Sequence, residues 1–345
     1  MSNLILNYNY NSVPRLFKNG AENQIARYLS ENDSKHIFNQ YEKFGLNNYP
    51  FIDRTEKIKH YLNVANLNPI PQYDSTFNKS FEELVIERIK EISSLGKKMK
   101  ICWSGGLDST YILMMMKHFV NVDQIIVYAN YASIVESGQV FDKFIKNTFN
   151  CELTVFPDVT DKNYSEDCLW VTGFPSNQLF GPEDEGCDND NLNKRIFKRL
   201  GQAKDLYEPY EKSLTDDFLE FFEPMIKSSP KKIETLVDLR WYLQFNTSWN
   251  MAVYDFKNEL SIEKIKNVYN FFDTIDFQKW AITTKEPFTK IIGNPNTHRW
   301  QMRERLADFG LKEYSITKTK KESTLTINTN TWLFMLSNYR NVYNV

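Results

Sequence analysis

The stretch Lys100–Leu113, KICWSGGLDSTYIL, decides how the rest of the chain is read. Its first residues form a short apolar run of the kind that makes a buried strand, and DSTYILMMMKHF after it has the length and composition of a helix. Between them stands Ser104-Gly105-Gly106. A glycine pair at a strand-to-helix junction can be no more than a tight turn whose serine or aspartate caps the helix. The surroundings must therefore decide.

Upstream, SFEELVIERIKEISSLG places Ser80 and Glu83 at capping-box spacing, gathers Phe81, Leu84, Val85, Ile89 and Ile92 on one face, and ends at Gly96, which predicts a helix. Downstream, QIIVYAN reads as a strand, ESGQVFDKFIKNTFN as an amphipathic helix and ELTVF as a third strand. Alternating β and α elements imply an α/β domain, a parallel sheet flanked by helices. A fourth apolar run, CLWVTGF, ends at Gly173, but only the eleven residues Pro157 to Asp167 separate it from the third. That is barely enough for a parallel crossover, so its place in the sheet stays open.

The prolines of NLNPIPQYDST disfavour helix and set a boundary near residue 75. Residues 1–75 then form an N-terminal helical extension, 76–325 the main domain and 326–345 a C-terminal tail. After the acidic, amide-rich QLFGPEDEGCDNDNLN the pattern turns mostly helical: DDFLEFFEPMI, IETLVDLRWYLQFNTSWNMAVYDF, SIEKIKNVYNFFDTIDFQKWAI and THRWQMRERLADFG. Trp241, Phe245 and Trp249, at helical spacing, read as packing.

Over 345 residues, 42 basic side chains against 44 acidic ones give a formal charge of -2, which argues against nucleic acid as the partner. The four cysteines contain no CxxC pair, so neither structural zinc nor a disulfide framework is indicated. No window approaches the roughly 18 apolar residues of a membrane span, and no basic leader precedes an apolar segment. A cytoplasmic protein with no membrane partner is expected.

In a parallel sheet, ligands gather at the carboxyl ends of strands, where a helix amino terminus offers unpaired N–H groups and a positive dipole end. Ser104–Ser109, SGGLDS, occupies that junction. Gly105 and Gly106 would let backbone donors approach an anion, Ser104 and Ser109 add hydroxyls, and Asp108 could hold a magnesium ion bridging phosphate oxygens. Neither GxxxxGK[ST] nor GxGxxG is present.

With these residues in view, positions of about 75 to 325 resemble the synthetase domain of the asparagine synthetase and β-lactam synthetase family, among the N-type ATP pyrophosphatases (PP-loop superfamily). ICWSGGLDSTYIL is similar to the pyrophosphate-binding signature, and SFEELVIERIK to the helix before the first strand. LWVTGFPSNQLFGP resembles the later glycine turn, and FFDTIDFQKWAI, RWQMRERLADFG and ITKTKKES resemble the carboxyl-terminal run. The resemblance implies an adenine nucleotide alpha-hydrolase-like, HUP-type sheet with a mostly helical C-terminal region. It also implies an ATP-dependent, AMP-forming ligase that adenylates a small-molecule carboxylate or carbonyl oxygen, releases pyrophosphate, and passes the activated carbon to a nitrogen nucleophile. ATP and Mg²⁺ are the implied cofactors. Carried over by position, Ser104, Gly105, Gly106, Asp108 and Ser109 hold pyrophosphate, Asp108 holds the metal, and Gly173 lies near the AMP ribose. Lys320 best matches the catalytic lysine, with Lys318 and Lys321 as alternatives.

The departures from the pattern bear on substrate chemistry. Where the family carries an acidic pair, this chain reads Ser176-Asn177-Gln178, with Glu183, Asp184 and Glu185 nearby as substitutes or as a solvated acidic loop. The E-x-R-x-P-F pattern is replaced by NVYNFFD, and MSNLILN does not present the nucleophilic cysteine of a glutaminase half. Nitrogen would come from free ammonia, a substrate amine or a separate ammonia-supplying protein. Asp238, Arg240, Arg299 and Arg303 are candidates for reading a carboxylate or phosphates, or are helix-surface charges. Two other readings stay open: a nucleobase- or tRNA-modifying ATP pyrophosphatase, and a nucleotide-binding protein that has lost catalysis.

Overall fold

A computed structural model describes residues 35–43, 51–59, 68–154, 164–181, 207, 209–255, 262–290 and 295–318. They fall into two compact units, one drawn from 73–185 and 259–326, the other from 1–72 and 186–258. The division interrupts the continuous 76–325 domain expected from sequence, because 186–258 clusters with the N-terminal segment.

The first unit contains a five-stranded, all-parallel sheet of order β3-β2-β1-β4-β5. Its strands are β1 (Lys98–Trp103), β2 (Ile125–Asn130), β3 (Asn150–Thr154), β4 (Cys168–Thr172) and β5 (Val268–Asn270). The helices that flank it are α1 (Phe81–Ser93), α2 (Leu107–Phe119), α3 (Tyr131–Glu136), α4 (Ser176–Phe180), α5 (Ile275–Thr283), α6 (Trp300–Leu306) and α7 (Lys312–Thr317). The expected α/β class is therefore present. Among the described residues no helix is long and apolar enough to cross a membrane.

α1 starts where its sequence requires, with Ser80 and Glu83 closing a reciprocal capping box. Its apolar stripe is buried as expected, and each such side chain contributes about 1.5–3 kcal/mol. Phe81 sits among the rings of Tyr111, Phe180, Phe272, Phe277 and Trp280, 5.0 to 6.0 Å away, which ties α1 to α2, α4 and α5. Arg88, buried on the same helix, donates from Nε to the carbonyl of Phe271 at 3.2 Å. α2 is buried from Ser109 to Met116 with no polar face over that span, as befits a helix enclosed on all sides.

One open point is settled and two expectations change. β4 lies parallel to β1, with Ile101 opposite Val171, which gives the fourth apolar run an interior place between β1 and β5. The helix expected over SIEKIKNVYNFFDTIDFQKWAI is instead a short turn of helix at Ile262–Ile265, the strand β5, and α5. Val268 and Asn270 are buried beside β4, and pairing to an existing strand edge outweighs helical spacing in so short a segment. The helix expected from Glu136 onward begins earlier, at Tyr131, because Asn130 Oδ1 accepts from the Ser133 N–H at 2.7 Å. It breaks at Ser137, whose backbone is non-helical at φ −141 and ψ 48, and resumes at Gly138.

The described residues of the second unit include the helices Lys35–Lys43, Asp216–Lys227, Leu236–Thr247 and Trp249–Asp255. Trp241, Phe245 and Trp249 are buried there, as packing residues should be. Arg54, 2% exposed, donates to the Phe245 carbonyl at 2.9 Å and lies 5.0 Å over the Trp249 ring.

Candidate functional site

Two strand ends build the site. The chain leaves β1 toward β2 and β3 on one side of it, and later returns to place β4 and β5 on the other, so the order reverses between β1 and β4. The crevice at such a reversal, beyond the carboxyl ends of the strands, is where ligands of open α/β sheets gather. Ser104–Ser109 follows β1 there, and Gly173–Asn177 follows β4. The two turns meet directly: Ser176 Oγ donates to Asp108 Oδ1 at 2.8 Å, and a Cβ built on Gly173 would stand 3.3 Å from Asp108 Cβ.

Gly105 could not be another residue without displacing its surroundings. Its φ is +76, and a Cβ on it would meet the Ser133 carbonyl oxygen at 2.6 Å. Its own carbonyl accepts from Ser137 Oγ at 2.7 Å and Tyr314 Oη at 2.9 Å. Because Tyr314 spends its one proton on Gly105, its 3.1 Å contact with Thr110 Oγ1 must run from Thr110, which accepts in turn from Trp103 Nε1 at 3.0 Å. Burial, above all, pushes the Tyr314 hydroxyl far above its ordinary pKa, so it stays a donor.

The hydroxyls expected to face phosphate also hydrogen-bond within the turn. Ser104 N–H donates to Ser109 Oγ at 3.2 Å, Gly106 N–H to Ser104 Oγ at 3.3 Å, and Ser109 Oγ to the Gly106 carbonyl at 3.2 Å. Ser109 is buried, whereas Ser104 is partly open. What the turn presents is backbone. α2 has Gly106 as its N-cap with no side chain capping it, and its first helical bond runs from Thr110 N–H to the Gly106 carbonyl. The first-turn amides and the positive end of the α2 dipole therefore suit an anion.

Asp108 is differently engaged from the sequence expectation. Arg299 Nη1 donates to both its carboxylate oxygens, at 2.5 and 2.7 Å, and Arg299 Nη2 donates to Asn177 Oδ1 at 2.5 Å. Ser176 and Arg299 together occupy the carboxylate, and Asn177 brings an amide rather than a second anion. Among the described residues no group of three or more His, Cys, Asp or Glu could hold a metal. This donor set does not fit a magnesium ion held by Asp108, whose hard-cation chemistry calls for free carboxylate oxygens.

A second cation closes the other side of the turn. Lys318 Nζ lies 2.5 Å from Glu136 and 3.2 Å from Ser137 Oγ, and both members of the ion pair are nearly buried, at 10% and 11% exposure. Arg303 fixes the chain that carries it, donating to the carbonyls of His298 at 2.7 Å, Ser315 at 2.6 Å and Lys318 at 3.0 Å. The helix break at Ser137 thus has a local purpose, since it turns that hydroxyl onto the Gly105 carbonyl and brings Glu136 to Lys318.

The structure brings Ser104, Gly105, Gly106, Asp108, Ser109 and Gly173 together, with Lys318 and Arg299 beside them. Lys320, Lys321 and the acidic Glu183–Glu185 lie outside the described residues. Arg303 serves main-chain carbonyls. Asp238 caps its own helix, accepting from Thr235 N–H at 2.9 Å and Thr235 Oγ1 at 2.8 Å, and Arg240 is buried on that helix in the other unit. Sequence reasoning missed Glu136, Ser137 and Tyr314. For the first two the signal was available, because they follow the carboxyl end of a strand adjacent to β1. No protein-family model matches the chain, and comparison with curated proteins finds no match.

Proposed function

We propose that the chain binds the phosphates of ATP at the Ser104–Ser109 turn and acts as an AMP-forming ligase, on a sheet of the HUP type. The observation that carries this reading is the meeting of the two glycine turns at the β1/β4 reversal, with the uncapped amino terminus of α2 between them. A substrate carboxylate or carbonyl oxygen attacks the α-phosphorus, the bond to the β-phosphate oxygen breaks, and pyrophosphate leaves. A nitrogen nucleophile, ammonia or an amine, then displaces AMP from the activated carbon. In this scheme the α2 amides bind the departing pyrophosphate, where fixed donors are most effective against developing charge. Lys318 supplies positive charge beside the turn, held in place by Glu136 and Arg303.

The test is incubation of purified protein with ATP, Mg²⁺ and a small-molecule extract, reading AMP, pyrophosphate and mass-shifted products. AMP with a new amide-bearing mass, lost in Gly105→Ala, supports the reading; release of ADP instead overturns it. A second reading, nucleotide binding without turnover, is favoured by the Asp108–Arg299–Asn177 arrangement. Saturable ATP binding with no AMP across the same extract would select it.

A further inference from the structure

Arg299 is an unusual residue in several independent respects. Its backbone is left-handed, φ 56 and ψ 41, one of only two non-glycine residues with positive φ among the described residues. For an L-residue that conformation costs about 1–2 kcal/mol. It is held by the Arg299 N–H donating to the Phe288 carbonyl at 2.8 Å, and by α6, which begins at the next residue. The side chain is 7% exposed, its guanidinium 5.7 Å over the Phe180 ring, and its Nε–H is buried with no acceptor among the described residues.

The guanidinium also joins the two turns that make the site. One end takes the only carboxylate of the Ser104–Ser109 turn, and the other takes Asn177 of the turn after β4. A carboxylate at position 177 would add a second negative charge to this junction; the amide instead leaves Asp108 and Arg299 as a neutral pair with hydrogen bonds on both sides. A divalent ion on Asp108 would have to expel a buried arginine from Asp108 and Asn177, and among the described residues it would find no group of three or more His, Cys, Asp or Glu to hold it. A planar fork of fixed donors with one N–H still unmatched is, by contrast, a fitting partner for a phosphate oxygen.

We propose that Arg299 is the resident cation of this site, taking the place of a protein-bound divalent metal between Asp108 and Asn177, so that polyphosphate binds without a metal ion held by Asp108. This rests on the phosphate-binding reading given above. Asp108 is then a positioning residue, whose carboxylate sets the guanidinium rather than coordinating a metal.

The experiment uses the full chain and inorganic pyrophosphate as the probe, by titration calorimetry in EDTA and in Mg²⁺. Mn²⁺ binding is followed in parallel by electron paramagnetic resonance. Wild type is expected to bind pyrophosphate in EDTA within about threefold of its affinity in Mg²⁺. Arg299→Gln is expected to weaken binding about tenfold or more, equivalent to about 1.4 kcal/mol. Arg299→Lys keeps the charge but not the fork, should fall between the two, and guards against a Gln variant that fails to fold. Stoichiometric Mn²⁺ binding to wild type that is lost in Asp108→Asn overturns the inference whatever the anion does. Pyrophosphate binding that requires Mg²⁺ and ignores Arg299→Gln also overturns it, while leaving the nucleotide reading intact. Failure of folded wild type to bind either pyrophosphate or ATP in both buffers sinks that reading and the inference together.

Discussion

Gly105→Ala tests the turn most directly, and its cost can be worked from two separate terms. The left-handed backbone, φ +76, costs an L-residue about 1–2 kcal/mol. The added methyl would stand 2.6 Å from the Ser133 carbonyl oxygen, a backbone atom in α3 whose helix is fixed at its start by Asn130, so relief requires moving a helix; overpacking of this kind costs about 1–3 kcal/mol. The sum, about 2–5 kcal/mol, is a large part of a typical domain stability of about 5–15 kcal/mol. Gly96→Ala is the control, since Gly96 has φ +69 but nothing within 4 Å of its would-be Cβ, and it should show the first term alone, about 1–2 kcal/mol. Urea unfolding of both variants by circular dichroism gives the difference, and titration with ATP gives the effect on binding. If Gly105→Ala unfolds with the same midpoint as Gly96→Ala and binds ATP like wild type, the tight approach of α3 to the turn is wrong, and with it the account of why glycine is needed there.

The buried Lys318–Glu136 pair predicts strong coupling: Lys318→Met alone should cost about 3–5 kcal/mol by stranding Glu136, and Lys318→Met with Glu136→Leu distinctly less, so additive single effects in urea unfolding would contradict the pairing. Asp238→Ala should remove a capping box for about 1 kcal/mol and leave ATP affinity unchanged, and a large loss of affinity would return Asp238 to the site. Asp74 is held at about 2 by the Thr76 hydroxyl first and by Lys279. A depressed folded-state pKa gives stability that is present above the unfolded value near 4 and lost as pH falls toward 2. The stability gap between wild type and Asp74→Asn should therefore close over that window, and a gap constant from neutral pH to pH 2 would refute the assignment.

Much of the sheet unit was legible because its signals are short-range. The Ser80–Glu83 capping box, the Gly96 stop and the strand–turn–helix change at Lys100–Leu113 are encoded within a few residues, by hydrogen-bond capacity and by the spacing of apolar side chains. The same locality explains the failures. β5 is three residues long and embedded in a helical pattern, so only the edge of β4 selects it. Asn130, not Glu136, starts α3, because its amide side chain competes for the Ser133 N–H before the apolar periodicity begins.

By itself the sequence determined that an α/β sheet would end a strand in a glycine turn with a helix behind it, because backbone conformation and the spacing of apolar side chains are properties of adjacent residues. Only the tertiary structure decided what that turn faces. Arg299 and Asp108 are 191 residues apart, and Lys318 and Glu136 182 apart; their pairing depends on strand order and on a left-handed backbone at Arg299, which no local pattern specifies. The charge at the site is thus a product of chain topology, since an electrostatic contact needs proximity in space and a sequence records only proximity along the chain.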